Sequence, residues 1–328
     1  MTTRDGSPEG VRSDALDVSV IICAYTLERW SHLRAAVRSV QHQSALPLQT
    51  IVVIDGDDEL ERRARAEIEG VVVVRNAHAR GLSGARQTGA EQASGAILAF
   101  LDDDAVADGA WLRWMLAPYS DPLVLGVGGR IEADWETGRP RWFPPEFDWV
   151  VGCSYVGLPE ATARIRNPIG ASMSVRASVL ARAGAFDPRL GRAPGARAVS
   201  GAAEETEFGI RAARAHPGGY WIYEPRAVVT HAVPQRRATW RYFARRCLVE
   251  GSAKALLASI AGSSDGLSAE RAYVRAVLPR GLFREIGRGL RGDAAGLGAA
   301  LAIVAGAALT AASYGWTRLR GVPADGAR

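Results

Sequence analysis

Residues 96–111 read "AILAFLDDDAVADGAW", six apolar residues running straight into Asp102, Asp103 and Asp104. A short unbroken apolar run of this kind predicts a strand buried on both faces of a parallel sheet. Like charges at its tip repel, by about 1 kcal/mol per pair at 4 Å in water and several-fold more in a protein's effective dielectric. Alternation along an extended strand places Asp102 and Asp104 on one side and Asp103 on the other. Two carboxylates on one side suit a hard divalent cation, Mg2+ or Mn2+, which takes one or two protein carboxylates and completes its shell with water and phosphate. The competing reading is a solvated acidic turn that caps the next helix. Position decides for a site, because α/β sheets bind ligands beyond the carboxyl ends of their strands.

The chain on either side repeats the pattern. "VSVIICA" (18–24), "TIVVI" (50–54) and "VVVVR" (71–75) predict three more buried strands. "ERWSHLRAAVRSVQHQ", with Trp30, Leu33, Val37 and Val40 at helical spacing, "DDELERRARAEI" and "LSGARQTGAEQAS" predict the helices between them. The first hundred residues are thus an alternating α/β half-domain with a mainly parallel sheet. Its expected ligand edge gathers Ala24, Tyr25, Thr26, Asp55, the glycine-rich stretch around Arg86, and the three aspartates.

Several chemistries are excluded. No G-x-x-x-x-G-K-[ST] loop is present, and "CAYTLERW" rather than G-x-G-x-x-G follows the first strand, which argues against P-loop nucleotidases and dinucleotide-dependent oxidoreductases. Cys23, Cys153 and Cys247 are isolated, so neither a disulfide framework nor a thiolate zinc site is indicated, and they are expected to be buried thiols. No Ser-His-Asp or Cys-His arrangement suggests a covalent intermediate.

Taken in order, "VSVIICAYT", "VVIDGDD", "RGLSGARQTGA", "LDDDA", "GAFDPRLG" and "EETEFGIR" resemble the family 2 glycosyltransferases of GT-A fold, over residues 16–235. "RWFPPEFDWVVGCSYVGLP", "NPIGASMSVR" and "RRCLVEGSAKA" are similar to members with lipid-linked acceptors, such as glucosyl-dolichyl-phosphate glucuronosyltransferases. The resemblance implies a metal-dependent, inverting transfer of a sugar from a nucleoside diphosphate, by analogy a UDP-sugar, to a hydroxyl or phosphate acceptor. It places Ala24, Tyr25 and Thr26 at the nucleotide, Asp55 at the uracil, and Arg86 beside base and diphosphate. Asp102 and Asp104 fall on the pair that meets ribose and metal, while Asp103 belongs to the same nucleotide-binding stretch as a structural support. Glu205 falls on the general base; the pair reads Glu204-Glu205 where the family commonly has Glu-Asp, and Glu204 is the alternative. The other reading of "EETEF" is a helix first turn whose acids complement the macrodipole. His231 is either a satisfied core residue or a further metal or diphosphate ligand. Trp142 and Trp149, with Tyr155, either stack on the acceptor or fasten a loop to the core. Nucleotidyl transfer and a non-catalytic sugar-nucleotide-binding module are the competing functions.

Of the 328 residues 48% are apolar and 23% charged, the balance of a folded protein. Residues 1–15 are expected to be a loose tail rather than a signal peptide. Basic residues crowd between Arg236 and Arg291, predicting a basic amphipathic helical region over 236–292. No nucleic-acid recognition module accompanies them. Residues 294–316 then carry no charge, so an apolar helix over 293–317 is long enough to cross a bilayer, before a basic tail at 318–328. The expectation is an enzyme on the cytoplasmic face of a membrane, its C-terminal appendage spanning the bilayer or lying at it.

Overall fold

The computed structural model describes residues 17–187, 190, 203–261 and 268–320. The expected N-terminal tail, and all but the first three residues of the expected basic tail, lie outside the described residues. Val18–Ala24 (β1), Trp30–Gln41 (α1), Gln49–Ile54 (β2), Asp58–Glu67 (α2), Val72–Arg75 (β3), Leu82–Gln92 (α3) and Ile97–Asp102 (β4) alternate as the sequence predicts. Their four strands pair in parallel in the order β3-β2-β1-β4.

The second half follows as Ala105–Ala107 (β5), Trp111–Leu116 (α4), Val124–Trp135 (β6), Ala163–Ile165 (β7), Ser172–Arg176 (β8), Ala177–Ala183 (α5), Glu204–Ala215 (α6) and Tyr220–Val233 (β9). These strands extend the same sheet beyond β4 in the order β8-β6-β9-β5. β8 is antiparallel to both β4 and β6, whereas β6 and β9 run parallel. The sheet is therefore mixed, and "mainly parallel" describes its N-terminal half.

Pleating sorts the core into two layers. Val20, Ile22, Ile97, Ala99 and Leu101 face α1 and the C-terminal layer, while Ile21, Leu98 and Phe100 face α5 and α6. Because both faces are covered, the strands read as continuous apolar runs.

Among the described residues four helical segments follow: Trp240–Ala261 (α7), Ser268–Ala272 (α8), Leu278–Leu290 (α9), entered through a π-helical turn at Tyr273–Val277, and Ala294–Leu319 (α10). The proline-rich loop after β6 seats them. Trp142 meets Trp240 and Phe243 with ring centroids 5.0 and 5.7 Å apart, and Phe147 lies 5.2 Å from Phe243. α10 packs on this layer through small residues: a Cβ added at Gly306 would stand 2.5 Å from the Phe147 ring. Further along, Ser313 Oγ donates to the Leu248 carbonyl at 2.6 Å and lies 2.8 Å from Ser252 Oγ.

Candidate active site

β4 ends at Asp102, and Asp103 and Asp104 form the turn into β5. The expected extension of strand alternation through Asp104 is therefore corrected. The turn achieves by another route what alternation was expected to do: single ligand atoms of Asp102, Asp104 and the buried His231 on β9 lie within 4.8 Å of one another. Asp104 is held from three sides, with Oδ1 3.2 Å from His231 Nε2, and Oδ2 3.0 Å from Arg29 and 3.8 Å from Arg237. Burial opposes its charge, but the hydrogen bond from His231 and the two guanidinium groups outweigh that and hold its carboxyl well below the usual range. Asp103 shares the same Arg29 nitrogen, accepting from it at 2.7 Å. Burial pushes it up to about 7, against the pull of Arg29, and its Oδ2 has no hydrogen-bond partner among the described residues.

Two carboxylates and an imidazole form an oxygen-rich donor set with one borderline nitrogen, which fits Mn2+ or Mg2+. The buried, ionised Asp104 adds the negative charge such a cation requires.

Next to this group lies Arg86 of α3, the most deeply placed cation of the site. Its residue is 1% exposed. Nη1 donates to Glu204 Oε1 and Glu205 Oε1, both at 2.9 Å, Nη2 donates to the Gly170 carbonyl at 3.2 Å, and Asp102 Oδ1 is 3.8 Å from Nη2. Burial opposes the charge of Arg86, but the three carboxylates raise its affinity for the proton. These carboxylates hold the buried guanidinium where it joins the aspartate group to the glutamate pair. The two glutamates begin α6, as predicted, yet differ in setting. The Glu204 side chain is 3% exposed and that of Glu205 23%. Burial raises Glu204 to about 7, against Arg86, with Glu205 adding to the rise.

The other expected residues divide. Ala24 closes β1, the exposed Tyr25 lies under Arg29 with 5.2 Å from guanidinium carbon to ring centre, and the Thr26 hydroxyl accepts from the Glu28 amide in the turn that follows. Asp55 stands at the carboxyl end of β2, where its Oδ1 accepts from Asn76 at 2.7 Å and its Oδ2 from the Gly81 amide at 2.8 Å. It thereby ties two edge loops together. Trp142 and Trp149 both make packing contacts. Trp142 sits in the aromatic cluster, and Trp149 Nε1 donates to the Tyr273 hydroxyl at 3.3 Å, so both fasten the loop to the helical layer.

Arg29 and Arg237 are the residues that sequence reasoning missed. Arg29 meets Asp103 across 74 positions of chain, and Arg237 lay inside a basic run read as a surface.

A cluster of two aspartates and a histidine at the carboxyl edge of an α/β sheet, with a glutamate pair beside it, fits one class: a GT-A-like glycosyltransferase. The chain belongs to glycosyl transferase family 2, whose model matches residues 19–182. Glucosyl-dolichyl phosphate glucuronosyltransferase of Haloferax volcanii is 32% identical over 246 residues, 74% of this chain and 77% of its own. Among solved structures, the mannosyltransferase PcManGT from Pyrobaculum calidifontis, in complex with GDP-Man and Mn2+, has a TM-score of 0.58 at 18% identity and covers 93% of this chain and 89% of its own. GalNAc-T7, solved with UDP, GalNAc and Mn2+, has a TM-score of 0.52 at 20% identity, with 72% of this chain covered and 48% of that one. At these identities the two structures speak for the fold alone.

Proposed function

We propose that this glycosyltransferase moves a sugar, with inversion, from a nucleoside diphosphate, by family resemblance a UDP-sugar, to a lipid-linked acceptor. The observation that carries the reading is the shared guanidinium: Arg86 touches Glu205 at 2.9 Å and approaches Asp102 at 3.8 Å, so a diphosphate-handling group and a proton acceptor stand side by side. A divalent cation bound by Asp102, Asp104 and His231 would supply neutralisation of charge growing on the departing diphosphate.

The chain's own residues do the rest. Glu205 takes the proton from the acceptor oxygen while that oxygen bonds to the sugar carbon and the bond to the diphosphate breaks on the opposite side. Glu204 is the poorer base because it is closed off from the acceptor. Arg86 fixes both glutamates, so that Glu205 is presented to the proton in one geometry. The acceptor class is supported by the name of the Haloferax volcanii relative and by the chain's apolar C-terminal helix, which is long enough to reach across or along a membrane.

The test is incubation of the full chain with Mn2+ or Mg2+ and a panel of UDP-, GDP- and TDP-sugars, with and without a polyprenyl-phosphate sugar. Acceptor-dependent release of a nucleoside diphosphate is expected. Release of pyrophosphate, or no release with any donor, overturns the reading.

A further inference from the structure

α10 is long enough to cross a bilayer, at about 1.5 Å per residue over its 26 residues, but the structure commits one of its sides elsewhere. Gly298 abuts Trp142 and Gly306 abuts Phe147 and Phe243, and Ser313 and Thr317 bond to Ser252. These contacts run from its second turn to its last. At its midpoint the chain neighbours of Phe147 and Phe243 include Glu146, ion-paired with Arg284 at 2.8 Å, and the exposed Arg245. A perpendicular helix would carry those charges to the hydrocarbon centre, where they are most costly.

The opposite side of α10 is bare. Leu297, Leu301, Val304, Trp316 and Leu319 are between 51% and 86% exposed and recur at the three- and four-residue spacing of one helix face, with Ala308 and Ala312 filling the gap. α9 adds Phe283 and Leu290, 73% and 81% exposed and seven residues apart. Leu290 borders this stripe, since a Cβ on its neighbour Gly289 would stand 2.6 Å from Leu297.

Charge surrounds the stripe. From Ser268 to Arg320 eight arginines stand against three acids, an excess equal to the +5 of the whole chain. All three acids are engaged, Glu270 by Lys254 and Arg166, Glu285 by Arg284 and Arg288, and Asp293 by Arg141. Arg280, Arg291, Arg318 and Arg320 are exposed and have no carboxylate partner among the described residues. The patch is thus apolar along its centre and cationic at its margins, the pattern of an amphipathic helix seated at an anionic lipid interface.

We infer that α9 and α10 form an in-plane dock for an anionic bilayer surface, with α10 lying along the membrane instead of through it. The inference goes beyond the proposed reaction and stands whichever sugar is moved. Arg237, 3.8 Å from Asp104, is three residues from Trp240, which meets Trp142 at the start of α10, so the dock begins beside the cation-holding group.

The test uses the full chain on vesicles of zwitterionic lipid alone or with an anionic lipid added. Binding is expected to require the anionic lipid, to be released by alkaline carbonate, and to fall about tenfold or more in the double variant Leu301→Glu/Val304→Glu. Nucleoside diphosphate release by that variant on a short-chain, water-soluble acceptor is expected to be unchanged, which separates docking from the reaction. Fluorophores on Leu297→Cys, Val304→Cys and Trp316→Cys are expected to be quenched equally by shallow-brominated lipids. Deepest quenching at Val304 with carbonate resistance would mean a span, and a solution dimer that covers the stripe with no vesicle binding would mean a protein partner. Either outcome overturns the inference.

Discussion

Replacing Gly170 with alanine tests the central geometry with a single methyl group. Gly170 opens the turn before β8, does not hold a left-handed φ, and offers its carbonyl to Arg86. The backbone accepts alanine; the side chains around it do not. The new carbon would overlap Glu205 Oε1 and Arg86 Nη2 and lie 2.8 Å from Glu205 Cδ, where ordinary contact begins at 3.4 Å. Arg86 cannot retreat, because it is buried and bound to Glu204 and to the Gly170 carbonyl. Glu205, the more exposed partner, must yield by about 1 Å, and a displacement of that size in a reacting group costs about a hundredfold in rate. The expected result is therefore a kcat about a hundredfold lower, with donor KM within about threefold, because the base moves while the aspartate group does not. Nucleoside diphosphate release under saturating donor and acceptor measures this. Gly109→Ala is the control, since a Cβ there meets nothing within 4 Å. Full activity in Gly170→Ala would show that Glu205 is not the base or that its position is immaterial, and the argument from Arg86 would fail with it.

Other perturbations probe separate links. Glu205→Gln is expected to lower kcat by about 10²–10⁴, and Glu204→Gln by clearly less; equal losses would contradict the assignment. Asp104→Asn is expected to weaken Mn2+ binding about tenfold or more, read by the paramagnetic resonance of free Mn2+ without any turnover. Burial pushes Glu270 up, but Lys254 and Arg166 prevail and hold it at about 2 against an ordinary 4.5. A lowered carboxylate stabilises fully above its unfolded value, so about 3 kcal/mol should fade as pH falls from 4.5 towards 2. Urea denaturation of wild type and Glu270→Gln should converge over that window, and a constant difference would exclude the ion pairs as the source. Gly251→Ala would press a methyl onto the Thr310 carbonyl and stand 2.9 Å from the Tyr314 amide, backbone atoms that cannot rotate away. It is expected to cost about 1–3 kcal/mol in thermal or denaturant melts, and a neutral effect would mean α7 and α10 part easily.

Much of the nucleotide half was legible because parallel strands covered on both faces leave a plain trace: "VSVIICA" and "ILAFLD" are β1 and β4 nearly to the residue. The aspartates were legible as a group but not in their geometry. Strand periodicity was carried two residues too far, and a turn returned Asp104 to the side of Asp102. His231 could be read only as an even choice, because the pairing of β9 with β5 that sets it opposite Ala105 is a long-range event. Arg29, Arg86 and Arg237 show the limit most clearly. An arginine's partner is decided by what the fold brings within reach, and Arg86 finds Glu204 across 118 positions. The two tryptophans carried both a stacking and a packing reading, and their packing partners lie in a helical layer whose placement no periodicity encodes.

The interleaved strand order has a consequence for how the chain is made. β3, β2, β1 and β4 can zip together as soon as residue 102 emerges, but the free flank of β4 waits for β8, which begins at Ser172. Throughout that interval "ILAFL" presents unpaired amides and carbonyls on an apolar strand, the template for pairing with another nascent chain. Synthesis rate over residues 103–176 and chaperone supply should therefore govern the yield of soluble enzyme more than the stability of the finished molecule does.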